Sequence, residues 1–180
     1  MTSPTRNLSP PTPDQYHEYY AAYINMVGPD VRGQLVEQPT ILKSMLGELA
    51  PDQVSCLHEP YTWTLKQLMG HLIDCERIFG SRLFRIAAGD PTPIPGIDQN
   101  QYVENMDYEN VSMKALLKEF SQLRKANVLL VKRLKPEALD NMGVASDNPV
   151  SAKANLFILA GHVSYHLEII KKRLGLAQPE

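Results

Sequence analysis

The chain has 180 residues and a mass of 20.2 kDa, which is the size of a single domain. Hydrophobic residues account for 43% of the sequence and charged residues for 21%, a balance that is typical of folded proteins and excludes a highly charged disordered chain. The 18 Lys and Arg residues against 20 Asp and Glu residues give a formal net charge of −2, which argues against a strongly basic nucleic-acid-binding protein.

Prolines and polar residues mark both ends of the chain. Residues 1–13 are predicted to form a flexible leader, residues 14–175 a single domain and residues 176–180 a tail. The leader lacks the apolar core of a signal peptide, and no stretch approaches the roughly 20 apolar residues of a transmembrane helix. Cys56 and Cys75 are too few for a secreted disulfide framework, so we expect a cytoplasmic protein with no nucleic-acid or membrane partner.

The N-terminal part of the domain predicts two helices. The tyrosine-rich segment 14–27 predicts a short helical extension that precedes the rest of the fold. The next helix ends near residue 49, and Pro39 leaves two predictions for its start. It begins at Pro39, or it begins near residue 34 and bends at the proline.

Three longer segments have the apolar period of amphipathic helices. They cover residues 64–88, 111–134 and 150–174. Thr64 is the predicted N-cap of the first of these helices, with Gln67 at the spacing of a capping box. No strand pattern competes with the helices. The predicted fold is therefore all-α, a four-helix bundle with an N-terminal helical extension.

A long connection between the second and third bundle helices sets the predicted topology. Residues 90–110 follow Gly89, the predicted C-terminal cap of the second helix, and fully extended they could span roughly 70 Å. The second helix is roughly 37 Å long, so this crossover can return along the bundle and leave the second and third helices parallel. The shorter connection 135–149 then makes the fourth helix antiparallel to both.

Three of the five histidines lie on the second and fourth bundle helices. His162 and His166 are one turn apart on one face, a spacing that suits two ligands of one metal ion. This pair alone is weak evidence, because helical histidine pairs without a metal are the commoner case. His71 lies about 100° from the centre of its helix's apolar stripe, and the other two lie about 110° and 70° from theirs, on the same rotational side.

The axial levels of the histidines agree with the antiparallel arrangement. His71 and the midpoint of the other pair differ by about 5 Å along the bundle if their helices are antiparallel, and by about 10 Å if the helices are parallel. Three neutral imidazoles leave open coordination positions, as in catalytic sites, and they suit zinc, nickel, iron or copper. His17 and His58 lie in poorly defined segments and are interpreted as surface residues.

Three stretches of the sequence carry a resemblance to a known family. They are YTWTLKQLMGHLIDCER, GDPTPIPGIDQNQY and NPVSAKANLFILAGHVSYHLEIIKKR. The chain resembles the DinB-like, or YfiT-like, superfamily of metalloenzymes over about residues 14–175. The resemblance implies a four-helix bundle with a long crossover, a divalent metal on His71, His162 and His166, and often a homodimer. We expect zinc or nickel first, with iron or manganese as alternatives.

The resemblance indicates the metal ligands more clearly than it indicates the reaction. Some members look like S-transferases that use a low-molecular-weight thiol such as bacillithiol or mycothiol, and others are named hydrolases without an identified substrate. We therefore expect a metal-dependent transferase or hydrolase that acts on a small molecule. No side chain is a compelling general base or nucleophile, which suits activation by the metal. The alternatives are a non-catalytic metal-binding stress-response protein and a helical module that only dimerises.

Two charged residues fall inside the apolar stripes of their helices. Glu76 lies about 40° from the centre of its stripe, and Arg124 and Asn127 lie about 40° and 20° from the centre of theirs. A buried charge needs a partner. We therefore predict that Glu76 and Arg124 form an ion pair between helices, with a structural rather than a catalytic role.

Four other residues have two interpretations each. Asp74 is expected at the surface or in a cap, and the alternative is that it orients a metal-bound histidine. Asp98 either contributes a carboxylate near the metal or forms hydrogen bonds within a turn. Trp63 is expected to pack beside the helix start, with lining of the site as the alternative. Cys75 is expected to be a buried inert thiol rather than a ligand or nucleophile.

Overall fold

The fold is described by a computed structural model over residues 8–176. Its seven α-helices within that range are α1 Ala21–Ile24, α2 Val31–Leu46, α3 Pro51–Ser55, α4 Leu65–Ala87, α5 Gln99–Asn105, α6 Met113–Arg133 and α7 Ala152–Arg173. Helices α2, α4, α6 and α7 form a four-helix bundle, which confirms the predicted fold class. Most of the predicted leader 1–13 and of the predicted tail 176–180 lies outside the described residues.

The two longest bundle helices begin and end as the sequence predicts. The Thr64 side chain accepts a hydrogen bond from the Gln67 backbone, and the Gln67 side chain accepts one from the Thr64 backbone, which completes the capping box of α4. Gly89 and Gly175 follow α4 and α7 with φ angles of 77° and 67°. These left-handed conformations favour glycine and let the backbone fold back on the last turn of each helix.

Helix α2 begins earlier than either prediction allowed. The Asp30 carboxylate caps it by accepting a hydrogen bond of 2.9 Å from the backbone N–H of Gly33. Pro39 then lies inside the helix, eight residues after the first helical residue, Val31. The proline predicts a boundary or a bend, but the N-cap at Asp30 defines where the helix starts.

The N-terminal extension is less regular than the predicted helix over 14–27. Two single turns of 3₁₀ helix, Pro13–Gln15 and Glu18–Tyr20, precede the four-residue helix α1. Ile24 is the one buried residue of α1. The extension therefore covers the bundle as a chain of short turns.

The bundle has the predicted parallel pair. Asp74 on α4 contacts Tyr108, which precedes α6, while Ala87 at the end of α4 accepts a hydrogen bond from Asn141, which follows α6. The partners advance along both segments in the same direction, so α4 and α6 are parallel. The crossover between them runs back along the bundle, as its length predicts, and contains the additional short helix α5.

Helix α7 runs antiparallel to α4, which confirms the other half of the predicted topology. Asn155 near the start of α7 donates to the carbonyl of Phe79 in the second half of α4. Arg173 at the end of α7 donates to the carbonyl of Trp63, just before α4. This register places the middle of α7 beside the first half of α4, where the histidines lie.

The connection between α6 and α7 contains a hairpin that the sequence did not predict. Strands β1 Met142–Ala145 and β2 Asn148–Ser151 pair antiparallel around Ser146 and Asp147, which have φ angles of 52° and 61°. Ile94 of the crossover forms a bridge to Ala145. The expectation of no strands was wrong because each strand has only four residues and the turn lacks the glycine that usually signals a two-residue hairpin.

No helix in residues 8–176 combines the length and apolar character needed to cross a membrane. The apolar side chains instead fill two core layers inside the bundle. Phe157 and Leu83 belong to the layer nearer the hairpin, while Phe120 and Leu68 belong to the other layer.

Candidate metal centre

Three histidine side chains from α4 and α7 converge inside the bundle. The Nε2 atom of His162 lies 3.1 Å from Nε2 of His71 and 3.2 Å from Nε2 of His166. One ligand nitrogen from each ring can be chosen so that all three lie within 4.8 Å of one another. The structure thus brings together the three residues that the helical spacing selected.

A glycine directly before two of the histidines lets other segments pack closely against α4 and α7. A β-carbon on Gly161 would collide with the backbone carbonyl of Tyr23, so only glycine allows the N-terminal extension to lie against α7 there. The Tyr23 ring then packs edge-on against His162, with 5.3 Å between ring centroids. A β-carbon on Gly70 would collide in the same way with the ring of Tyr108.

Burial keeps the three imidazoles neutral. His71 is 3% exposed, His162 is 4% exposed and His166 is 8% exposed. Desolvation lowers the pKa of His71 to about 4. Burial, and secondarily the charge of His71, lowers the pKa of His166 to about 3. Burial, followed by the charges of the neighbouring histidines and Arg124, puts the pKa of His162 well below its usual range. At neutral pH each ring therefore carries a free lone pair.

The nitrogen spacing fits one divalent ion. Two imidazole nitrogens bound to the same tetrahedral zinc ion at about 2.0–2.1 Å are about 3.4 Å apart. The spacings of 3.1 Å and 3.2 Å are close to that value. Neutral imidazole is also the commonest side-chain ligand for metals of this class. The Nδ1 atom of His166 is buried without a hydrogen-bond partner, so no hydrogen bond at that nitrogen fixes the orientation of the ring.

Two cavities open beside the cluster. The Arg82 cavity, of about 650 Å³, lies between α4, the N-terminal extension and crossover residues 96–100, and His162 forms part of its wall. The Arg173 cavity, of about 310 Å³, lies next to His166 and shares Tyr19 and Tyr23 with the Arg82 cavity. A groove of about 710 Å³ between α2 and α6 is slightly larger, but none of the three histidines lines it. The cluster is therefore accessible from two cavities of a size that small molecules occupy.

An ionic cluster lies one and a half turns further along α4. Arg124 donates to Glu76 at 2.7 Å, and both side chains are 1% exposed. Asn127 donates to the other Glu76 oxygen at 2.7 Å, and Arg124 also donates to Gln38 at 2.7 Å. The predicted pair is confirmed, and its contacts lie inside the bundle, away from the two cavities.

Asp74 is not a surface or capping residue. It is 8% exposed and accepts a hydrogen bond of 2.6 Å from the hydroxyl of Tyr108. Burial raises its pKa. None of the hydrogen bonds of Asp74 reaches a histidine, so the alternative second role is not seen either. Its expected exposure was wrong because the crossover covers the side of α4 that faces away from the apolar stripe.

For each of the other three residues with two predicted roles, the structure favours one role. Asp98 caps α5 by accepting from the backbone of Asn100 at 2.9 Å, which is the turn role, although it also lies on the wall of the Arg82 cavity. Trp63 lines the site, because its ring lies 5.0 Å from that of His71. Cys75 is the buried thiol that was expected, and burial raises its pKa to about 12.

The two other histidines stay outside the cluster. His17 is exposed, as predicted, but lies on the wall of the Arg82 cavity. His58 is half-buried and contacts Arg173, with 3.1 Å between Nδ1 and the guanidinium nitrogen. The interpretation of His58 as a plain surface residue was therefore wrong.

Sequence reasoning missed Arg82, which is 3% exposed on the wall of its cavity. The signal was present, because eleven residues are close to three helical turns and place Arg82 on the same face of α4 as His71. Gln38 was also missed. Its contact with Arg124 depends on how α2 packs against α6, which no local pattern reveals.

The fold and the cluster together define a helical-bundle protein with a potential divalent-metal centre. Residues 34–170 match the DinB superfamily, and the chain belongs to that superfamily. A protein from Oceanobacillus iheyensis with a provisional name as a metal-dependent hydrolase is 27% identical over 136 residues, which are 74% of this chain and 78% of that protein.

A solved structure supports the fold independently. YfiT from Bacillus subtilis, described as a probable metal-dependent hydrolase with an unusual four-helix bundle topology, matches with a TM-score of 0.72. The match covers 93% of this chain and 94% of that chain at 17% sequence identity, so it bears on the fold alone. The match of residues 34–170 to the family confirms the superfamily that the sequence motifs indicated.

Proposed function

We propose that the chain is a metal-dependent enzyme that acts on a small molecule, with the divalent ion held by His71, His162 and His166. The observation that carries the proposal is the convergence of three neutral, buried ring nitrogens beside an open cavity. A divalent ion supplies Lewis-acid chemistry, which activates a water or thiol nucleophile at neutral pH.

The surrounding residues hold the imidazoles and limit the access of water. Tyr23 packs on His162 and Trp63 packs on His71, so an aromatic ring shields each of these two histidines. Cys75 lies 3.7 Å from His71, but its thiol is buried and stays protonated at neutral pH. The chain therefore offers positioning groups around the centre rather than a nucleophile of its own.

Hydrolysis is the first reaction to test, because two relatives carry names as metal-dependent hydrolases. Thiol S-transfer is the second, and it rests on the resemblance of the sequence motifs to thiol-dependent members of the superfamily. A non-catalytic metal-binding role predicts a closed site without a cavity, and the open Arg82 cavity favours an enzyme instead.

Metal analysis of the purified, untagged protein tests the centre directly. We expect about one zinc or nickel ion per chain, and a His162→Ala variant that has lost it. His17→Ala is the matched control, since His17 lines the same cavity but lies outside the cluster. Full metal occupancy in the His162→Ala variant would overturn the assignment.

Two assays on the metal-loaded protein separate the reactions. A panel of small esters and amides reports hydrolysis, and a panel of low-molecular-weight thiols with an electrophilic acceptor reports S-transfer. Activity in either panel that disappears with chelator and returns with metal supports the proposal. A homodimer, which the sequence resemblance implies, is tested by light scattering of the same sample.

A further inference from the structure

We infer that Arg82 binds the carboxylate of a small anionic substrate in the cavity beside the metal centre. This inference rests on the proposed function, and it names the class of substrate: a small molecule with a carboxylate and an apolar body. The evidence is an arginine without an acidic partner, buried on the wall of the cavity that His162 also lines.

The guanidinium of Arg82 uses only part of its hydrogen-bonding capacity. Its Nη2 atom donates to the carbonyl of Pro95 at 3.1 Å and to the hydroxyl of Ser146 at 2.9 Å. Its Nε atom is buried with no acceptor, and Nη1 donates to no residue in the described range. Three of its five N–H groups therefore have no acceptor among the described residues.

No described carboxylate neutralises Arg82 within 4.0 Å, although other arginines of the same helix are paired. Arg77 pairs with Glu119, and Arg85 pairs with Asp90. Asp98 lines the same cavity, but one of its oxygens accepts two backbone hydrogen bonds at the start of α5. A buried charge without a partner is costly, and such groups concentrate where a ligand supplies the missing charge.

Arg82 lies close to the histidine cluster. Its guanidinium carbon lies 5.8 Å from the centre of the Phe79 ring, and that ring lies 5.4 Å from the ring of His162. One aromatic side chain thus separates the arginine from the histidine cluster. The wall also contains a group of tyrosines from the N-terminal extension: Tyr19, Tyr20 and Tyr23.

The charge and the lining of the Arg82 cavity indicate which class of small molecule it can bind. A single guanidinium matches a group with one negative charge, and a carboxylate forms strong charge-assisted hydrogen bonds with it. The aromatic wall suits an apolar body, and the cavity of about 650 Å³ holds a molecule of ordinary metabolite size. With its carboxylate on Arg82, such a molecule would place its remaining atoms past Phe79 and toward the histidines.

A matched pair of probes tests the inference by calorimetry. The probes are 3-phenylpropanoate and its uncharged amide, 3-phenylpropanamide, titrated into zinc-loaded protein. We expect the carboxylate to bind at least about tenfold more tightly than the amide, and an Arg82→Gln variant to reduce that preference below about threefold. Arg85→Gln, which removes the same charge one turn further along α4 outside the cavity, should keep the wild-type preference.

The same titration on chelator-treated wild type separates this inference from the proposed function. Arg82 acts without the metal, so the preference for the carboxylate should survive metal removal. A preference that vanishes with the metal, or that persists in Arg82→Gln, would overturn the inference, as would no carboxylate binding at about 10 mM. A protein that binds no metal but keeps the preference would overturn the proposed function alone. If Arg82→Gln does not fold, the chelator-treated wild type decides the outcome.

Discussion

Helix α4 carries a buried histidine at position 71 and a buried glutamate at position 76, and the two have very different surroundings. Glu76 receives a hydrogen bond on each carboxylate oxygen, from Arg124 and from Asn127. The polar contacts of His71 within the described residues are to Nε2 of His162 and to the thiol of Cys75. The hydrogen bonds of Glu76 are therefore complete within the protein, whereas each imidazole of the histidine cluster keeps a lone pair that a cation can accept.

The difference separates a structural role from a functional one. The ionic cluster ties α4 and α6 together, and Arg124 extends it to α2 through Gln38. Its charges cancel inside the bundle. The histidine cluster has no charges to cancel, and a cation bound to its lone pairs would stabilise the folded state further. Breaking the first cluster should therefore affect folding, and changing the second should affect what the protein binds.

The largest effect is expected on breaking the ionic cluster. Arg124→Met leaves the Glu76 charge buried without its partner, which should lower the free energy of unfolding by about 3–5 kcal/mol in urea denaturation. Arg77→Ala is the matched control, because it removes an exposed arginine that pairs with Glu119 and should cost at most about 1 kcal/mol. Equal small losses in both variants would contradict the structural role.

Metal addition should stabilise the protein through the histidine cluster alone. At a free zinc concentration about 100-fold above the dissociation constant, binding to the folded state raises the free energy of unfolding by about 2.7 kcal/mol. His166→Gln should lose most of this gain, whereas His17→Ala should keep it. The measurement is a thermal melt of chelator-treated protein with and without zinc, and equal gains in wild type and His166→Gln would refute the assignment.

The pH dependence of the metal-free protein isolates one histidine. The folded pKa of His71 is about 4, below the usual value of 6.5, so on acidification the unfolded state takes up the proton first. Stability should therefore fall as pH drops from about 6.5 toward 4, and His71 should account for about 2 kcal/mol at pH 5. Urea titrations of chelator-treated wild type and His71→Gln at pH 8 and pH 5 measure this share. An identical pH dependence in the two proteins would show that His71 titrates normally.

The smallest effect is expected at a neutral member of the ionic cluster. Asn127→Ala removes the amide that donates to Glu76 at 2.7 Å, which should cost about 1.5 kcal/mol in urea denaturation. The metal content should not change, because the histidines keep their contacts. A loss of metal in this variant would show that the two clusters are coupled.

The sequence predicted these two clusters because both depend on local helical spacing. His162 and His166 are one turn apart, and Glu76 and Arg124 interrupt apolar stripes. The position of His71 and the resemblance to the superfamily then pointed to a shared site for the histidines. The parallel arrangement of α4 and α6 was also predictable, since a crossover of that length permits it.

The features that the sequence did not predict depend on contacts between distant segments. Asp74 was placed at the surface because its angle faces away from the apolar stripe, yet Tyr108 from the crossover covers that face. The hairpin was missed because Ser146 and Asp147 adopt positive φ angles without a glycine. The spacing of Arg82 places it on the His71 face of α4, but that spacing alone does not show that the arginine is buried on a cavity wall.

The Gly-His pairs on α4 and α7 have a practical consequence for protein engineering. At each pair the glycine admits a segment from outside the bundle, and the histidine next to it enters the cluster. A mutant library should therefore leave Gly70, His71, Gly161 and His162 fixed. Crossover residues 96–100 line the cavity but contribute nothing to the histidine cluster, so randomising this stretch would change the cavity wall without touching the three histidines.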